Sequence, residues 1–266
     1  MLLSKCESMT LNKLYRFFFR SHLNYIKTIY FNFRVFPLRT AIKFPIFLFG
    51  KVDLYHIEKG CIQLTCAPRP ATIRIGGGIP TNFVQYCHTF VTYITLYGKM
   101  ICGKSVCLNN GTCLFVGPSA TLEIGDDFIM NANCKLFCEK SIKIGDQVQV
   151  SWDSQVFDSN FHFMVNDGIV KPKSEYVVLG NNCWVGNRVT ITKGTVLPPF
   201  SIVASNSIVN KNFSQNPEAG LYAGLPAKLI TVGPRRLFLS KMTEQRMEQL
   251  FKNVHSTLTI EDITKL

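Results

Sequence analysis

The chain has 266 residues, of which 47% are hydrophobic and 17% are charged, so its composition excludes a disordered or fibrous protein. Lys and Arg number 29 against 17 Asp and Glu, which gives a formal net charge of +12. No apolar run approaches the roughly 20 residues that a transmembrane helix needs. The scattered charges near the start do not form a secretory signal, and we expect a cytoplasmic protein.

The first 51 residues form a basic, aromatic segment, with nine basic residues, one acid and 12 of the 32 aromatic residues. One approximate helical face runs along it: Leu11, Leu14, Tyr15, Phe18, Tyr25, Ile26 and Ile29. We expect residues 1–51 to be a partly helical arm that caps the next domain or stabilises a trimer. A sharper hypothesis is peripheral contact with an anionic membrane. Because most of the excess charge lies in this arm, nucleic acid is not an expected partner.

We expect residues 52–232 to form the catalytic domain, and between Ile124 and Val209 aliphatic side chains recur at every sixth position, a spacing that no helix produces. One run is Leu179, Val185, Ile191, Leu197, Val203 and Val209. An earlier run, Ile124, Met130, Leu136 and Ile142, slips by two residues and resumes at Ile144, Val150 and Val156. The pattern predicts a three-sided parallel β-helix with 18-residue coils, small residues at the corners and one aliphatic per side pointing inward.

Two other signals in this region are interpreted as structural. Gly98–Ser105 satisfies a phosphate-loop pattern, but a turn at Asn109–Gly111 follows where that loop requires a helix, so we expect early coils here. The ten cysteines include no Cys-x-x-Cys pair and no companion histidines, so we expect buried thiols and no metal site.

Two motifs resemble those of the hexapeptide-repeat acetyltransferases. Leu179–Asn187 is similar to their "IGxNxWIGxxxxI" signature and Ala223–Lys228 to their closing "aGxPAk" motif. The stretch from about Val52 onward also resembles the branch of sugar and capsular polysaccharide O-acetyltransferases. The resemblance implies an all-β, left-handed parallel β-helix, a homotrimer, and acetyl-CoA bound between neighbouring subunits.

One histidine interrupts the six-residue repeat. Acetyl transfer to a hydroxyl needs a general base, and histidine is the side chain that most often serves as one. His162 stands six residues after Val156, and the period then breaks over Phe163–Val178, which predicts a loop insertion. The segment from Asp158 to His162 resembles the family's "DxDFH", which implies that His162 is the base and that Asp158 orients its ring. Asn160 replaces the second acid.

The resemblance also implies roles for residues in other coils. Asn131 and Asn160 would contact the acceptor sugar, and the backbone N–H of Asn187 would stabilise the oxyanion. Trp184 would line the thioester pocket and Ser205 would bind the pantetheine arm, while Lys211 and Lys228 would neutralise the phosphates of the coenzyme. Each of these residues has a plainer interpretation as a corner or surface residue.

The tail 233–266 carries apolar residues among charges after Pro234, which predicts a short helix. Taken together, the sequence predicts direct acetyl transfer to a sugar hydroxyl in bacterial surface polysaccharide synthesis. N-acetylation of an amino or nucleotide sugar and a non-catalytic β-helix scaffold are the alternatives.

Overall fold

The computed structural model describes residues 22–77 and 90–237 and helical positions among 244–251. Two compact units, Met1–Pro234 and Arg235–Leu266, divide the chain. In the second unit, residues 244, 246–249 and 251 are helical, in the tail where the sequence predicts a short helix. The expected helical face of Leu11, Leu14, Tyr15 and Phe18 lies outside the described residues. No helix in the described ranges is long and apolar enough to span a bilayer.

Parallel strands form three faces within the described part of the first unit. Face 1 consists of β2 (Val52–Ile57), β5 (Thr92–Leu96), β8 (Cys113–Val116), β11 (Lys135–Cys138), β14 (Gln155–Phe157), β19 (Thr190–Ile191) and β22 (Ile208–Val209). Face 2 consists of β3 (Ile62–Leu64), β6 (Lys99–Cys102), β9 (Thr121–Ile124), β12 (Ser141–Ile144), β17 (Val177–Leu179) and β20 (Val196–Leu197).

Face 3 begins with β1 and ends in an antiparallel pair. Its strands are β1 (Ile46–Leu48), β4 (Ile73–Ile75), β7 (Val106–Leu108), β10 (Ile129–Met130), β13 (Gln149–Val150), β18 (Trp184–Val185), β21 (Ile202–Val203), β23 (Gly220–Gly224) and β24 (Ala227–Val232). The chain visits the faces in the order 1, 2, 3 in each coil, so the predicted parallel β-helix is confirmed. We call the junctions corner 1 (face 1 to face 2), corner 2 (face 2 to face 3) and corner 3 (face 3 to face 1).

The aliphatic residues of the hexads form the core. Residues from Leu136 to Val209 in the repeat are at most 2% exposed, because each stacks between equivalent residues of the coils above and below. The two-residue slip reflects longer coils: Ile142 pairs with Leu122 and Ile144 with Ile124, so both isoleucines point inward. The expected 18-residue coil occurs from Ile191 to Val209, whereas Leu114 and Leu136 are 22 residues apart.

Corner 2 shows why glycine precedes Asn or Asp in the repeat. Asp126 donates its backbone N–H to Asp146 Oδ1 at 2.7 Å, and Asp146 donates likewise to Asn181 Oδ1 at 2.9 Å. A Cβ on Gly125 would lie 2.4 Å from Asp146 Oδ1, so only glycine fits beneath the side chain of the next coil. These ladders join successive coils outside the strands.

The phosphate-loop pattern lies in an early coil, as predicted. Lys99–Cys102 is strand β6, Gly103–Ser105 turns corner 2, and Val106 begins strand β7. No helix begins at this turn, so it lacks the helix N-terminus that would bind phosphates.

Two helices precede the first coil among the described residues: α1 (Tyr25–Val35) and α2 (Leu38–Ala41). Helix α1 starts at Asn24, whose side chain accepts a hydrogen bond from the Lys27 N–H at 3.1 Å. The solenoid itself begins with β1 at Ile46, six residues before the expected start at Val52.

Candidate active site

The insertion that carries His162 projects from corner 1. Strand β14 ends at Phe157 and β17 begins at Val177, so the loop covers residues 158–176, where the sequence predicted 163–178. His162 is exposed and makes no hydrogen bond or ion pair with the described residues. Its imidazole is therefore available to a substrate.

The base of this loop is held by hydrogen bonds between its two arms. Ser174 Oγ donates to Ser159 Oγ at 2.9 Å, and the Asn160 N–H donates to the Lys173 carbonyl oxygen at 2.8 Å. The tip beyond them is an exposed antiparallel hairpin, β15 (Met164–Asn166) and β16 (Ile169–Lys171). His162 lies between the held base and the exposed tip.

Aromatic packing fixes the residue before the histidine. Phe161 has φ +61°, an uncommon conformation for an aromatic residue, and its ring lies 6.1 Å from Phe137 and 6.3 Å from Phe157, measured between centroids. Phe115 extends this row in the preceding coil. Sequence reasoning missed the row, although phenylalanines recur at 20- to 22-residue intervals on outward positions of face 1.

The structure contradicts the role predicted for Asp158. Its side chain is fully buried and accepts backbone N–H groups from Glu139 at 2.7 Å, Lys140 at 2.8 Å and Ser141 at 2.6 Å. Both carboxylate oxygens are thus used by the turn of the preceding coil, and no hydrogen bond joins them to His162. Asp158 holds the loop base to the solenoid and does not orient the imidazole.

Most of the other predicted residues gather at corner 3. Asn131 is 6% exposed, and its Oδ1 accepts from the side chain of Asn109 at 3.4 Å. Trp184 is 39% exposed, and its indole N–H donates a hydrogen bond to Ser151 Oγ at 3.2 Å. Ser205 Oγ donates to Asn187 Oδ1 at 2.5 Å. These residues occupy successive coils and form one vertical row.

Corner 3 also presents backbone donors. The N–H groups of Asn187 and Ser205 have no acceptor among the described residues, whereas their neighbours donate across coils. Gly186 makes this turn tight, because a Cβ there would lie 2.8 Å from both the Ser205 nitrogen and the Val203 oxygen. The two amides are free to bind a carbonyl or oxyanion.

Within one chain, the loop that carries His162 leaves the coil at corner 1, at the other end of face 1 from the corner 3 residues. Four residues separate Asp153 at corner 3 from Asp158 at corner 1, and the five steps between them span roughly 16 Å. Asn131 follows β10 at corner 3, whereas the loop that carries His162 leaves the coil at corner 1. The two predicted phosphate ligands are also separated, since Lys228 pairs with Ala223 near corner 3 and Lys211 follows β22 at corner 1.

Thiol chemistry is not favoured near Trp184. Cys183 is fully buried, and burial raises the pKa of its thiol to about 12, so it remains protonated and unreactive at neutral pH. Among the described residues, no three His, Cys, Asp or Glu side chains form a group suited to a metal ion.

Similar proteins include several sugar acetyltransferases. Galactoside O-acetyltransferase of Escherichia coli (strain K12) is 29% identical over 120 residues, 44% of this chain and 57% of that protein. An uncharacterized 24.8 kDa protein in the cps region of Klebsiella pneumoniae is 32% identical over 140 residues, 53% of this chain and 61% of that protein. The chain thus spans less than two thirds of the length of these two relatives.

A third relative is covered more fully. WbbJ of Escherichia coli (strain K12), named for lipopolysaccharide biosynthesis as an O-acetyl transferase, is 26% identical over 151 residues, 53% of this chain and 76% of that protein. No family model matches the chain.

Among solved structures, the polySia-specific acetyltransferase NeuO superposes with a TM-score of 0.43 at 18% identity, covering 77% of this chain and 93% of that chain. A mutant of AntD, an N-acyltransferase from Bacillus cereus crystallised with dTDP and coenzyme A, gives a TM-score of 0.43 at 15% identity over 76% of this chain and 91% of that one. The hexads and the three-sided parallel coil are those expected of the hexapeptide-repeat acetyltransferases, and relatives named as O-acetyltransferases are similar to this chain in sequence.

Proposed function

We propose that this protein is an acetyl-CoA-dependent O-acetyltransferase that acts on a sugar hydroxyl during the synthesis of a bacterial surface polysaccharide, in the cytoplasm. The observation that carries the proposal is that His162 is exposed and has no hydrogen-bond partner among the described residues, on a loop whose base is held to the solenoid. The names of the relatives, a galactoside O-acetyltransferase and an O-acetyl transferase of lipopolysaccharide biosynthesis, support a sugar acceptor.

His162 acts as the general base. It removes the proton of the acceptor hydroxyl as that oxygen attacks the thioester carbonyl carbon. When the tetrahedral intermediate collapses, the carbon–sulfur bond breaks and the imidazolium returns its proton to the departing thiolate. The acetyl group ends on the sugar oxygen, and His162 is neutral again for the next turnover.

The corner 3 residues bind the donor. The free N–H of Asn187 stabilises the oxyanion, and the Ser205 N–H holds an amide oxygen of the pantetheine arm. The half-exposed Trp184 ring covers the thioester and keeps water from it. Lys228 is exposed beside the same corner, and its positive charge neutralises the phosphates of acetyl-CoA.

The active site requires two copies of the chain. Because roughly 16 Å of face 1 lies between corner 3 and the base of the His162 loop at corner 1, the base of one subunit meets the donor-binding corner of its neighbour. A closed homotrimer repeats this heterologous contact three times. Asn160 and Lys211, both at corner 1, then reach the neighbour's Asn131 and Lys228, which restores the groupings that the resemblance implies.

The test begins with His162→Ala, which is expected to lower acetyl transfer by about 10²- to 10⁴-fold. His56→Ala is the matched control, since His56 pairs with Glu58 on a distant early coil and should keep full turnover. Transfer is measured from acetyl-CoA to a panel of sugars and oligosaccharides, with light scattering to verify the trimer. Near-normal turnover by His162→Ala would refute the assignment.

A complementation experiment tests the shared site. His162→Ala and Trp184→Ala copies, unfolded together and refolded as mixed trimers, should regain about a quarter of wild-type activity, because one interface in four combines an intact histidine with an intact tryptophan. No recovery would place both residues in a single-chain site.

The product distinguishes the alternatives. An O-acetyl ester is removed by mild alkali, whereas an amide from N-acetylation survives it. A chain that neither binds coenzyme A nor turns over acetyl-CoA would be a scaffold.

A further inference from the structure

We propose that the N-terminal end of the solenoid docks on an anionic lipid bilayer through an exposed stripe on helix α1. The stripe consists of Tyr25, Ile26, Ile29, Tyr30 and Phe33. It is independent of His162 and of corner 3, so the proposal goes beyond the acetyl transfer proposed above.

Within the described residues, helix α1 buries one face against the first coil and exposes most of an apolar face on the other side. Thr28, Phe31, Asn32 and Val35 are at most 4% exposed. The stripe residues follow a spacing of one, three or four positions, which puts them together on the opposite side of the helix. A helix that serves only to cap the coil would be polar on that side.

The buried side of α1 forms hydrogen bonds with strand β1 of the first coil. Asn32 Nδ2 donates to the Ile46 carbonyl oxygen at 2.7 Å, and its Oδ1 accepts from the Ile46 N–H at 3.0 Å. Thr28 Oγ1 accepts from the Leu48 N–H at 3.1 Å. These contacts satisfy the edge of β1 that no strand covers. The stripe therefore faces away from the coils.

The stripe is large and well exposed. Ile26 is 83% exposed, Tyr30 54% and Ile29 50%, and Leu38 and Ile42 in the next helical segment are also exposed, at 67% and 57%. Single exposed apolar residues are ordinary on a protein surface, but a contiguous patch of this size marks a binding surface. Its mixture of tyrosine, phenylalanine and isoleucine is typical of side chains at the boundary between headgroups and acyl chains.

The charges around the stripe favour lipid as the partner. No acidic residue occurs between His22 and Lys51, and Arg34, Arg39 and Lys43 are all exposed. An apolar stripe with a basic border matches an anionic bilayer, where headgroups neutralise the cations while the apolar side chains enter the interface. Two copies meeting stripe to stripe would bring these cations together, which is unfavourable.

The experiment uses the full chain and vesicles of defined composition. Sedimentation with vesicles of 7:3 phosphatidylcholine and phosphatidylglycerol in low salt should deplete the protein from solution, and pure phosphatidylcholine should retain far less. Arg34→Gln, Arg39→Gln and Lys43→Gln combined should lower partitioning onto the anionic vesicles about 100-fold, about five-fold for each cation. High salt should also lower the partitioning of the wild-type protein onto the anionic vesicles, because it screens the attraction between the cations and the headgroups.

Two further variants distinguish vesicle binding through the stripe from nonspecific adsorption of exposed apolar side chains. Ile26→Gln with Ile29→Gln should reduce vesicle binding at least ten-fold with an unchanged thermal midpoint, because both side chains are exposed. Ile230→Gln with Val232→Gln removes exposed apolar side chains of β24 and should bind vesicles as the wild type does. Failure of the wild type to bind anionic vesicles overturns the proposal. A changed oligomeric state of the Ile26 and Ile29 variant without lipid also overturns it, since the stripe would then join copies of the chain.

Discussion

Asp158 is the residue for which sequence and structure predict different roles. The sequence predicts that it orients the His162 ring, whereas in the structure it accepts backbone N–H groups of the preceding coil. Replacing Asp158 with Ala removes the acceptor of three backbone N–H groups, those of Glu139, Lys140 and Ser141, from a fully buried position. Those partly buried amides would then lose their common acceptor. We expect a large loss of stability and no specific loss of catalysis.

The expected size follows from the number of bonds. A hydrogen bond to a charged group contributes about 1.5–3 kcal/mol, and breaking a buried network of this kind costs about 3–5 kcal/mol. For a chain of this length each kcal/mol shifts the melting temperature by about 2–4 °C, so Asp158→Ala should melt roughly 6–20 °C lower. Asp146→Ala is the matched control, because exposed Asp146 accepts a single N–H, from Asp126, and should lose about 1 kcal/mol or less.

Urea unfolding followed by circular dichroism measures the stability of both variants, and acetyl transfer is assayed well below both melting points. The structural role predicts near-normal turnover by folded Asp158→Ala and an unchanged pH profile. A variant with wild-type stability, lowered turnover and a shifted profile would contradict this reasoning and restore Asp158 as the partner of His162.

Two further predictions concern the solenoid. Asn32→Leu keeps the volume but leaves both polar groups of Ile46 unpaired, so urea unfolding should show a loss of about 2–4 kcal/mol, and no loss would exclude Asn32 as the cap of β1. Burial raises the pKa of the Cys134 thiol to about 12, above its value in the unfolded chain. The unfolded thiol, with its ordinary pKa of about 8.5, ionises first, so stability is intact below about pH 8 and falls as the pH rises toward 12, by about 2 kcal/mol for this thiol at pH 10. Cys134→Ala should weaken this dependence in unfolding measured at pH 8 and pH 10, and an identical dependence would rule out the thiol as its source.

The sequence allowed individual residues of the candidate site to be predicted, but it did not show which of them lie close together. His162 was recognisable because it breaks a six-residue period, and Asn187 and Ser205 because they follow corner motifs. The role of Asp158 depends on burial, which the motif does not encode. The contacts of Phe161 with Phe137 and Phe157 depend on register between coils, and the corners on which Lys211 and Lys228 lie depend on where each strand ends.

The amino-acid sequence by itself determined that this chain winds into coils, because one aliphatic residue every six positions satisfies a three-sided stack and no other regular structure. It also determined the small corner residues, since Gly125 and Gly186 leave no room for a Cβ. Only the tertiary structure decided which residues meet, because paired residues of neighbouring coils are 18 to 40 residues apart in the sequence and each insertion shifts their register. It put the loop that carries His162 and the turn that carries Asn187 at different corners of the coil, and it turned one side of α1 toward β1 and left the other exposed.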